Sequence, residues 1–212
     1  MKSLKFFLPL IALFGALSTS HAQSYGGVGV GYSRIGVACG QSVACSAKRL
    51  GGLAYVGVAL PESLAMDLGV AKLASFEVGM LSFGTKSVTT ETFTTTRSGT
   101  RVTTTRSESR YFMDANGAFA AMVADTSVLT DDLVMSARFG IAYITSSLAR
   151  RTDGVSVGAQ TTNRGAPYLG LGVEYKLGAG LSANIRLDAS KYGAEGRSGS
   201  LLLTSAGVSY QY

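Results

Sequence analysis

The chain has 212 residues, a formal net charge of +6, 46% apolar residues and only 15% charged residues. Disordered chains are polar or highly charged, and soluble domains carry about 25% charged residues, so this composition excludes disorder and disfavours an ordinary soluble enzyme. The longest apolar runs after residue 22 are about ten residues, whereas a membrane-spanning helix needs roughly 20. The sequence therefore predicts one domain without membrane-spanning helices.

The first 22 residues are organised like an export signal. Two lysines precede an apolar stretch at 6–17, and the small residues Ser20 and Ala22 stand where a signal peptidase reads them. We expect cleavage after Ala22, which leaves a mature domain of residues 23–212. Because both lysines leave with the leader, the net charge of the mature chain falls to +4.

Cleavage also removes His21, which is the only histidine of the chain. A Ser-His-Asp triad, a Cys-His pair and a histidine metal site all need this residue type. We therefore predict that the mature protein is not an enzyme and binds no cofactor or metal.

Cys39 and Cys45 are separated by five residues. An exported protein passes through an oxidising compartment, so we predict a disulfide within a small surface loop. A bridge across so short a loop contributes at most about 2 kcal/mol to stability. Two thiols without further ligands make an incomplete metal site.

From residue 24 onward, apolar residues alternate with polar or small residues, as they do in strands. In the fourth of eight predicted strands, Met113 and Phe119 are assigned to the apolar face and Asp114 to the polar face. The second to fifth strands are predicted at about 49–60, 64–75, 110–123 and 132–146, and the first two of these are less regular.

The connections alternate between short turns and long segments, and the long ones lie near 36–48, 76–109, 147–165 and 191–199. This arrangement is typical of an up-and-down barrel that crosses a membrane, in which closure pairs every strand edge. The fold class predicted is all-β, an eight-stranded antiparallel up-and-down transmembrane β-barrel. Alternation alone also fits a soluble barrel with its apolar face inward. Two features favour the membrane barrel. The residues on the polar face are mostly small, which suits a narrow barrel interior, and the tyrosines on the apolar face lie at two levels, as they do at the two interfaces of a membrane.

Charged residues on the polar face are predicted to point into the lumen. Buried charges must pair, because each unpaired one costs several kcal/mol. Two interpretations remain open, a gated narrow pore and a network that plugs and stiffens the barrel. The predicted lumen residues are Asp67, Asp114, Arg138, Glu174, Lys176, Arg186 and Asp188.

The connection at 76–109 is longer than a bilayer crossing requires, and the prediction assigns Glu77 to it. It contains eleven threonines between residues 85 and 105, with a turn signal at Ser98-Gly99. Threonine favours strands, so we predict a β-hairpin that rises above the membrane. A flexible spacer is the alternative. We expect anionic saccharide or lipopolysaccharide groups to be contacted by Arg97, Arg101 and Arg106.

The segment 166–193, supported by 24–34, 64–70 and the terminal Tyr212, resembles the small outer-membrane barrels typified by outer membrane protein A and outer membrane protein X of Gram-negative bacteria. The resemblance extends over essentially the whole mature chain. It implies an outer-membrane location and a structural or surface-interaction role through extracellular loops, with a narrow porin-like diffusion channel as the alternative.

The same resemblance implies partners. Tyr212 matches the terminal aromatic residue that is part of the signal read by the barrel-assembly machinery. Outer-membrane lipids and lipopolysaccharide are expected around the barrel, and surface ligands at its loops. We expect no nucleic-acid partner, because no basic and aromatic recognition module accompanies the positive charge.

Overall fold

The computed structural model describes residues 23–36, 44–45, 49–61, 65–67, 71–130, 132–194 and 197–212. Two strands of two residues each, Ala44–Cys45 and Met66–Asp67, pair with the third long strand. Within these ranges no helix is suited to cross a membrane. The eight long strands are β1 (Ser24–Ile35), β2 (Arg49–Ala59), β3 (Lys72–Ser98), β4 (Arg101–Thr130), β5 (Leu133–Thr152), β6 (Val155–Gly178), β7 (Leu181–Ala194) and β8 (Arg197–Gln211).

The eight strands form a closed antiparallel ring. Each strand pairs with its neighbours in the chain, and β1 pairs with β8 from Tyr25–Gln211 to Ile35–Leu201. This last pairing closes the sheet and confirms the predicted eight-stranded up-and-down barrel. The β2–β3, β4–β5 and β6–β7 connections lie at one end with residues 23 and 212, and we call this end the turn side. The opposite end is the loop side.

The outer surface of the barrel is apolar and exposed, as the alternation predicts. Val30 on β1, Ile141 on β5 and Leu171 on β6 all face outward. Exposed tyrosines flank this surface, with Tyr143 nearer the loop side and Tyr175 nearer the turn side. An apolar band between two levels of aromatic residues is the outer surface that a bilayer-spanning barrel requires.

The third and fourth strands differ from their predicted bounds. β3 begins at Lys72 and continues to Ser98, and β4 runs from Arg101 to Thr130, so the segment predicted as a loop contributes to the barrel wall before it leaves the barrel. The two strands pair from Lys72–Asp125 to Ser98–Arg101, with irregularities near Ser75 and Gly84. The turn is therefore Gly99-Thr100, one residue beyond the predicted position.

The predicted orientation of the fourth strand is wrong. Met113 and Phe119 are buried inside the barrel, and Tyr111 lies on the same face of β4, whereas Asp114 and Asn116 lie on the outward face. The reason is that the loop-side half of the interior is itself apolar. Both faces of this strand therefore carry apolar side chains, and alternation does not distinguish them.

Large interior side chains lie opposite glycines on the neighbouring strand. Phe119 of β4 is the register partner of Gly79 on β3, and Tyr55 of β2 is the partner of Gly27 on β1. A methyl group at Gly79 would lie 2.5 Å from Ala54 O and 2.6 Å from Phe119 Cε1. The missing side chain therefore provides the space in which the opposite ring packs.

The interior has an apolar half and a polar half. Toward the loop side, Phe83, Ile144, Leu201 and Leu203 are essentially inaccessible to solvent and form one cluster with their neighbours. Each such side chain contributes about 1.5–3 kcal/mol through burial. Toward the turn side most inward residues are charged or polar, although Val123 is buried there as well. The ring of Phe119 stacks on Tyr168 at 4.5 Å between centroids, close to the boundary between the halves.

Candidate functional site

Glu77 is the centre of a buried charge cluster in the polar half of the barrel. Its side chain is 0% exposed. Arg138 donates from Nε to Oε2 at 2.9 Å and from Nη2 to Oε1 at 3.3 Å, and Arg186 donates from Nη2 to Oε2 at 3.2 Å. The hydroxyl of Tyr25 donates to Oε1 at 3.0 Å. Both carboxylate oxygens of Glu77 are therefore shared between two partners.

Arg186 links this carboxylate to a second one. Its Nη2 also donates to Tyr168 Oη at 3.1 Å and to Asp188 Oδ1 at 3.3 Å, and the Tyr168 hydroxyl donates to the same Asp188 oxygen. The guanidinium of Arg186 lies over the ring of Tyr55, 4.2 Å from the ring centroid. The face of an aromatic ring attracts a cation, so this contact stabilises the charged arginine.

The cluster is electrically balanced, since Glu77 and Asp188 carry two negative charges and Arg138 and Arg186 carry two positive ones. Nε and Nη1 of Arg186 and Oδ2 of Asp188 have no hydrogen-bond partner among the described residues. A buried ion network does not by itself add much stability, but the loss of one member leaves an uncompensated charge. The cluster therefore suits a fixed plug, because any rearrangement must pass through such a state.

The predicted lumen residues divide into three groups. Arg138, Arg186 and Asp188 are buried in the cluster. Glu174 and Lys176 line the lumen nearer the turn side. The remaining two are corrections, because Asp114 faces outward on β4 and Asp67 is exposed in a two-residue strand at the turn side.

Glu77 itself was assigned to a surface loop by the sequence prediction, and this assignment is wrong. A signal for its true position exists at residues 75–83. Ser75, Glu77, Gly79 and Leu81 alternate there with Phe76, Val78 and Met80, which face outward. The threonine-rich composition that follows made the whole segment resemble a loop.

A cavity of about 250 Å³ lies between the cluster and the turn-side end of the barrel. Glu77, Arg138 and Tyr25 form its ceiling, and the half-buried Asp125 and Glu174 lie on its walls. The apolar half of the interior lies beyond the ceiling. The buried apolar residues Phe83, Leu201 and Leu203 therefore lie between this cavity and the loop side of the barrel.

Beyond the barrel, β3 and β4 continue as a long hairpin. β5 and β6 extend with it, so that four strands rise on the loop side, and the β4–β5 pairing ends at Ser109–Thr152. Residues 91–108, which we call the ribbon, extend further as a two-stranded hairpin. Eight residues per strand correspond to about 27 Å at roughly 3.4 Å per residue.

The two faces of the ribbon differ in chemistry. Threonine and serine predominate on one face, whereas the other carries charged and apolar side chains and one pair of threonines. Phe93 and Val102 on this second face are exposed. The members of the second face are Glu91, Phe93, Thr95 and Arg97 on β3, opposite Glu108, Arg106, Thr104 and Val102 on β4.

The three arginines predicted to contact anionic groups all lie in the ribbon. Arg97 and Arg106 share its charged face, and Arg106 forms an ion pair with Glu91. Arg101 pairs with Ser98 at the tip. The structure therefore brings two of the three to one face, while their contact with an anionic partner stays a prediction.

The ribbon is attached to the neighbouring hairpin at its base. Asp153, in the β5–β6 turn, accepts a hydrogen bond from the amide of Glu108 at 2.9 Å and one from the hydroxyl of Ser107 at 3.1 Å. Asp153 N also donates to Glu108 O at 2.9 Å. These bonds fix the lower end of the ribbon, and its upper part has only its own strand pairing among the described residues.

One edge of the extended sheet is open. β6 pairs with β7 only up to Leu169–Ala189, whereas it pairs with β5 up to Val155. At residues 155–165 the β7 side of β6 has no strand partner within the described ranges. Unpaired N–H and C=O groups along an edge are a template for another extended chain.

Three further predictions are not tested by the structure. Cys39 and the leader at 1–22 lie outside the described residues, so the disulfide with Cys45 and the cleavage site stay predictions. Tyr212 follows β8 directly, and its side chain is exposed on the turn side beside Tyr210. Its role as an assembly signal likewise stays a prediction.

No family model and no curated protein sequence matches this chain. Solved structures of small outer-membrane β-barrel proteins resemble it. Neisserial surface protein A has 10% sequence identity over 89% of this chain and 97% of its own, with a TM-score of 0.47. The attachment invasion locus protein Ail of Yersinia pestis, solved with the heparin analogue sucrose octasulfate, has 7% identity over 91% of this chain and 100% of its own, with a TM-score of 0.45. The N-terminal β-barrel domain of OprF from Pseudomonas aeruginosa has 12% identity over 91% of this chain and 100% of its own, with a TM-score of 0.42.

Proposed function

We propose that this protein is an outer-membrane barrel that presents its loop-side strands for interaction at the cell surface. The observation that carries the proposal is the contrast between a filled interior and an extended exterior. Apolar side chains and the cluster around Glu77 occupy the barrel cross-section, whereas the ribbon and its neighbouring strands expose polar, charged and apolar groups. Binding residues usually lie on exposed segments that a rigid scaffold holds in position.

The membrane location is supported by the outer surface of the barrel. A closed ring with exposed valine, leucine, isoleucine and tyrosine is stable in a bilayer and would expose a large apolar area in water. The export signal at 1–22 leads a chain of this kind to the envelope. In this setting the loop side faces outward, and lipopolysaccharide surrounds its base. Tyr212 at the turn side is then available to the assembly machinery.

Two features of the strands that rise beyond the barrel on the loop side favour binding of external partners. The open edge of β6 at 155–165 offers main-chain hydrogen bonds to an extended segment of another protein. The charged face of the ribbon offers Arg106 opposite the exposed Phe93, and Arg97 nearer the tip opposite the exposed Val102, a combination suited to an anionic saccharide or lipopolysaccharide group. Because one of these arginines is already paired with Glu91, its attraction is modest and weakens as salt rises.

A narrow diffusion channel is the second candidate, and the cavity on the turn side is the observation that favours it. A channel needs this cavity to connect with the loop side. The apolar half of the interior blocks that route with Phe83, Leu201 and Leu203. An enzymatic role has less support, because the buried acids of the cluster are engaged with arginines.

The surface role is tested by shortening the ribbon. Replacing residues 91–108 with Asn-Gly joins the register partners Thr90 and Ser109 through a two-residue turn. We expect this variant to assemble and to keep its heat-modifiable migration on gels, while its binding to lipopolysaccharide or to host surfaces falls. Full binding by the shortened, folded protein would contradict the surface role of the ribbon.

The channel is tested by conductance in planar bilayers. We expect no steady current from the purified protein. A steady current that changes in Arg138→Ala or Arg186→Ala would favour the channel instead. A matched substitution outside the lumen, Arg97→Ala, should leave any current unchanged.

A further inference from the structure

The cavity on the turn side has walls that are rich in hydroxyl and charged groups. Four serines, Ser75, Ser136, Ser182 and Ser209, line it beneath the ceiling. A water molecule occupies about 30 Å³ in the liquid, so 250 Å³ has room for a small polar ligand. Its lining includes Gln23, Gly180 and Gln211, so it is accessible from the turn side.

The charges of the cavity are not balanced. At the ceiling, Arg138 neutralises Glu77 and donates from Nη1 to Ser136 Oγ at 2.7 Å. Asp125 and Glu174 differ, because neither carboxylate has a hydrogen bond or ion pair with a described residue. Lys176 adds one positive charge at the exposed mouth. Among the described residues that line the cavity, acids therefore exceed bases by one, and charge inside a barrel is costly unless it is paired.

The hydroxyl of Ser182 is an independent indication of a missing partner. This residue is 7% exposed and lines the cavity, yet its hydroxyl has no hydrogen bond to any described residue. The other three wall serines each have one: Ser75 with Tyr25, Ser136 with Arg138 and Ser209 with Asn184. The Ser182 hydroxyl therefore faces the cavity and is available to a polar ligand there.

We propose that this cavity binds a small organic monocation, a primary ammonium that carries a hydroxyl group. The ammonium has three donors for the carboxylates of Asp125 and Glu174, and the hydroxyl bonds with Ser182. A hard metal ion fits less well, since it takes six or more oxygen ligands and the described residues contain no group of three metal-ligating side chains. The site is independent of the surface role of the ribbon.

The experiment is a titration of the purified, folded chain in detergent micelles with ethanolammonium chloride, followed by backbone amide NMR. We expect saturable shifts confined to residues around the cavity, with a dissociation constant in the millimolar range or below. Ethylene glycol tests the need for the charge, and sodium chloride at equal ionic strength tests simple screening. Neither control should produce saturable shifts at the same residues.

Variants separate the site from a general effect of charge. Asp125→Asn and Glu174→Gln should each weaken binding roughly tenfold, since a hydrogen bond to a charged group is lost. Ser182→Leu fills the cavity without a change of charge and should abolish binding. Asp132→Asn, an exposed turn acid that does not line the cavity, is the matched control and should bind normally.

Three outcomes would overturn the proposal. These are the absence of saturable shifts in the folded wild-type chain, an equal response to sodium chloride, and equal weakening by Asp132→Asn and Glu174→Gln. Heat-modifiable migration of each variant establishes that it is folded. Should Ser182→Leu fail to fold, the half-buried Glu174→Gln and its control decide the matter.

Discussion

The barrel interior and the ribbon use the same antiparallel pairing but are stabilised in different ways. In the interior, Glu77 and Phe83 are fully buried and contact several strands at once. In the ribbon, almost every side chain is exposed, and stabilisation comes from cross-strand pairs of about 0.2–1 kcal/mol each. Regular strand geometry therefore says little about how much a given residue stabilises, and burial decides it.

The largest expected effect is at the centre of the interior. Glu77→Gln removes the charge that neutralises Arg138 and Arg186, so the free energy of unfolding should fall by about 3–5 kcal/mol. Urea unfolding of the protein in micelles measures the loss. The matched change in the ribbon, Glu91→Gln, removes an exposed ion pair with Arg106 and should cost less than about 1 kcal/mol. Similar losses of unfolding free energy in both variants would show that burial does not decide how much these residues stabilise the protein.

An intermediate effect is expected where a glycine faces a ring. Gly79→Ala forces a methyl group against Ala54 O and the ring of Phe119, so we expect a loss of about 1–3 kcal/mol in the same unfolding assay. At Gly165, on the extended part of β6, a methyl group would meet nothing within 4 Å. Gly165→Ala should therefore be nearly neutral, and a loss as large as that of Gly79→Ala would show that packing at Gly79 is not the cause.

The smallest effect is expected at the base of the ribbon. Asp153→Gly keeps the left-handed turn conformation, in which Asp153 has φ of 50°, but removes the side-chain bonds to Ser107 and Glu108. Global unfolding should change by less than about 1 kcal/mol, whereas hydrogen exchange of the Glu108 amide should accelerate. Asp153→Asn retains an acceptor and is the control, with exchange close to that of the wild type.

The predictable parts of the fold are those in which only one face is apolar. Over residues 28–33 of β1, 136–142 of β5 and 169–176 of β6, the inward residues are small or polar and the outward ones are mostly large and apolar, so alternation placed Val30, Ile141 and Leu171 correctly on the outer surface. β4 failed because Phe119 and Val123 inside oppose Ala120 and Met122 outside. With two apolar faces, hydrophobicity alone does not determine which side of the strand is buried.

The site was predictable only in part for a related reason. Arg138, Arg186 and Asp188 stand out as charges within regular apolar alternation. Glu77 is the shared partner of both arginines but lies beside a threonine-rich segment whose composition resembles a loop. Arg138 and Arg186 are 61 and 109 residues away from Glu77 in the chain, and no local pattern indicates that both contact its carboxylate.

The sequence alone determined that this protein is a run of alternating strands with short and long connections, because side-chain period and turn chemistry are local properties. Tertiary structure decided where the wall of the barrel ends and the ribbon begins, since β3 and β4 keep one unbroken pairing pattern through both regions apart from irregularities near Ser75 and Gly84. It also decided that Glu77 neutralises two arginines and that Asp125 and Glu174 face a common cavity. Closure of the ring brings these distant residues together, and no property of any single strand contains that information.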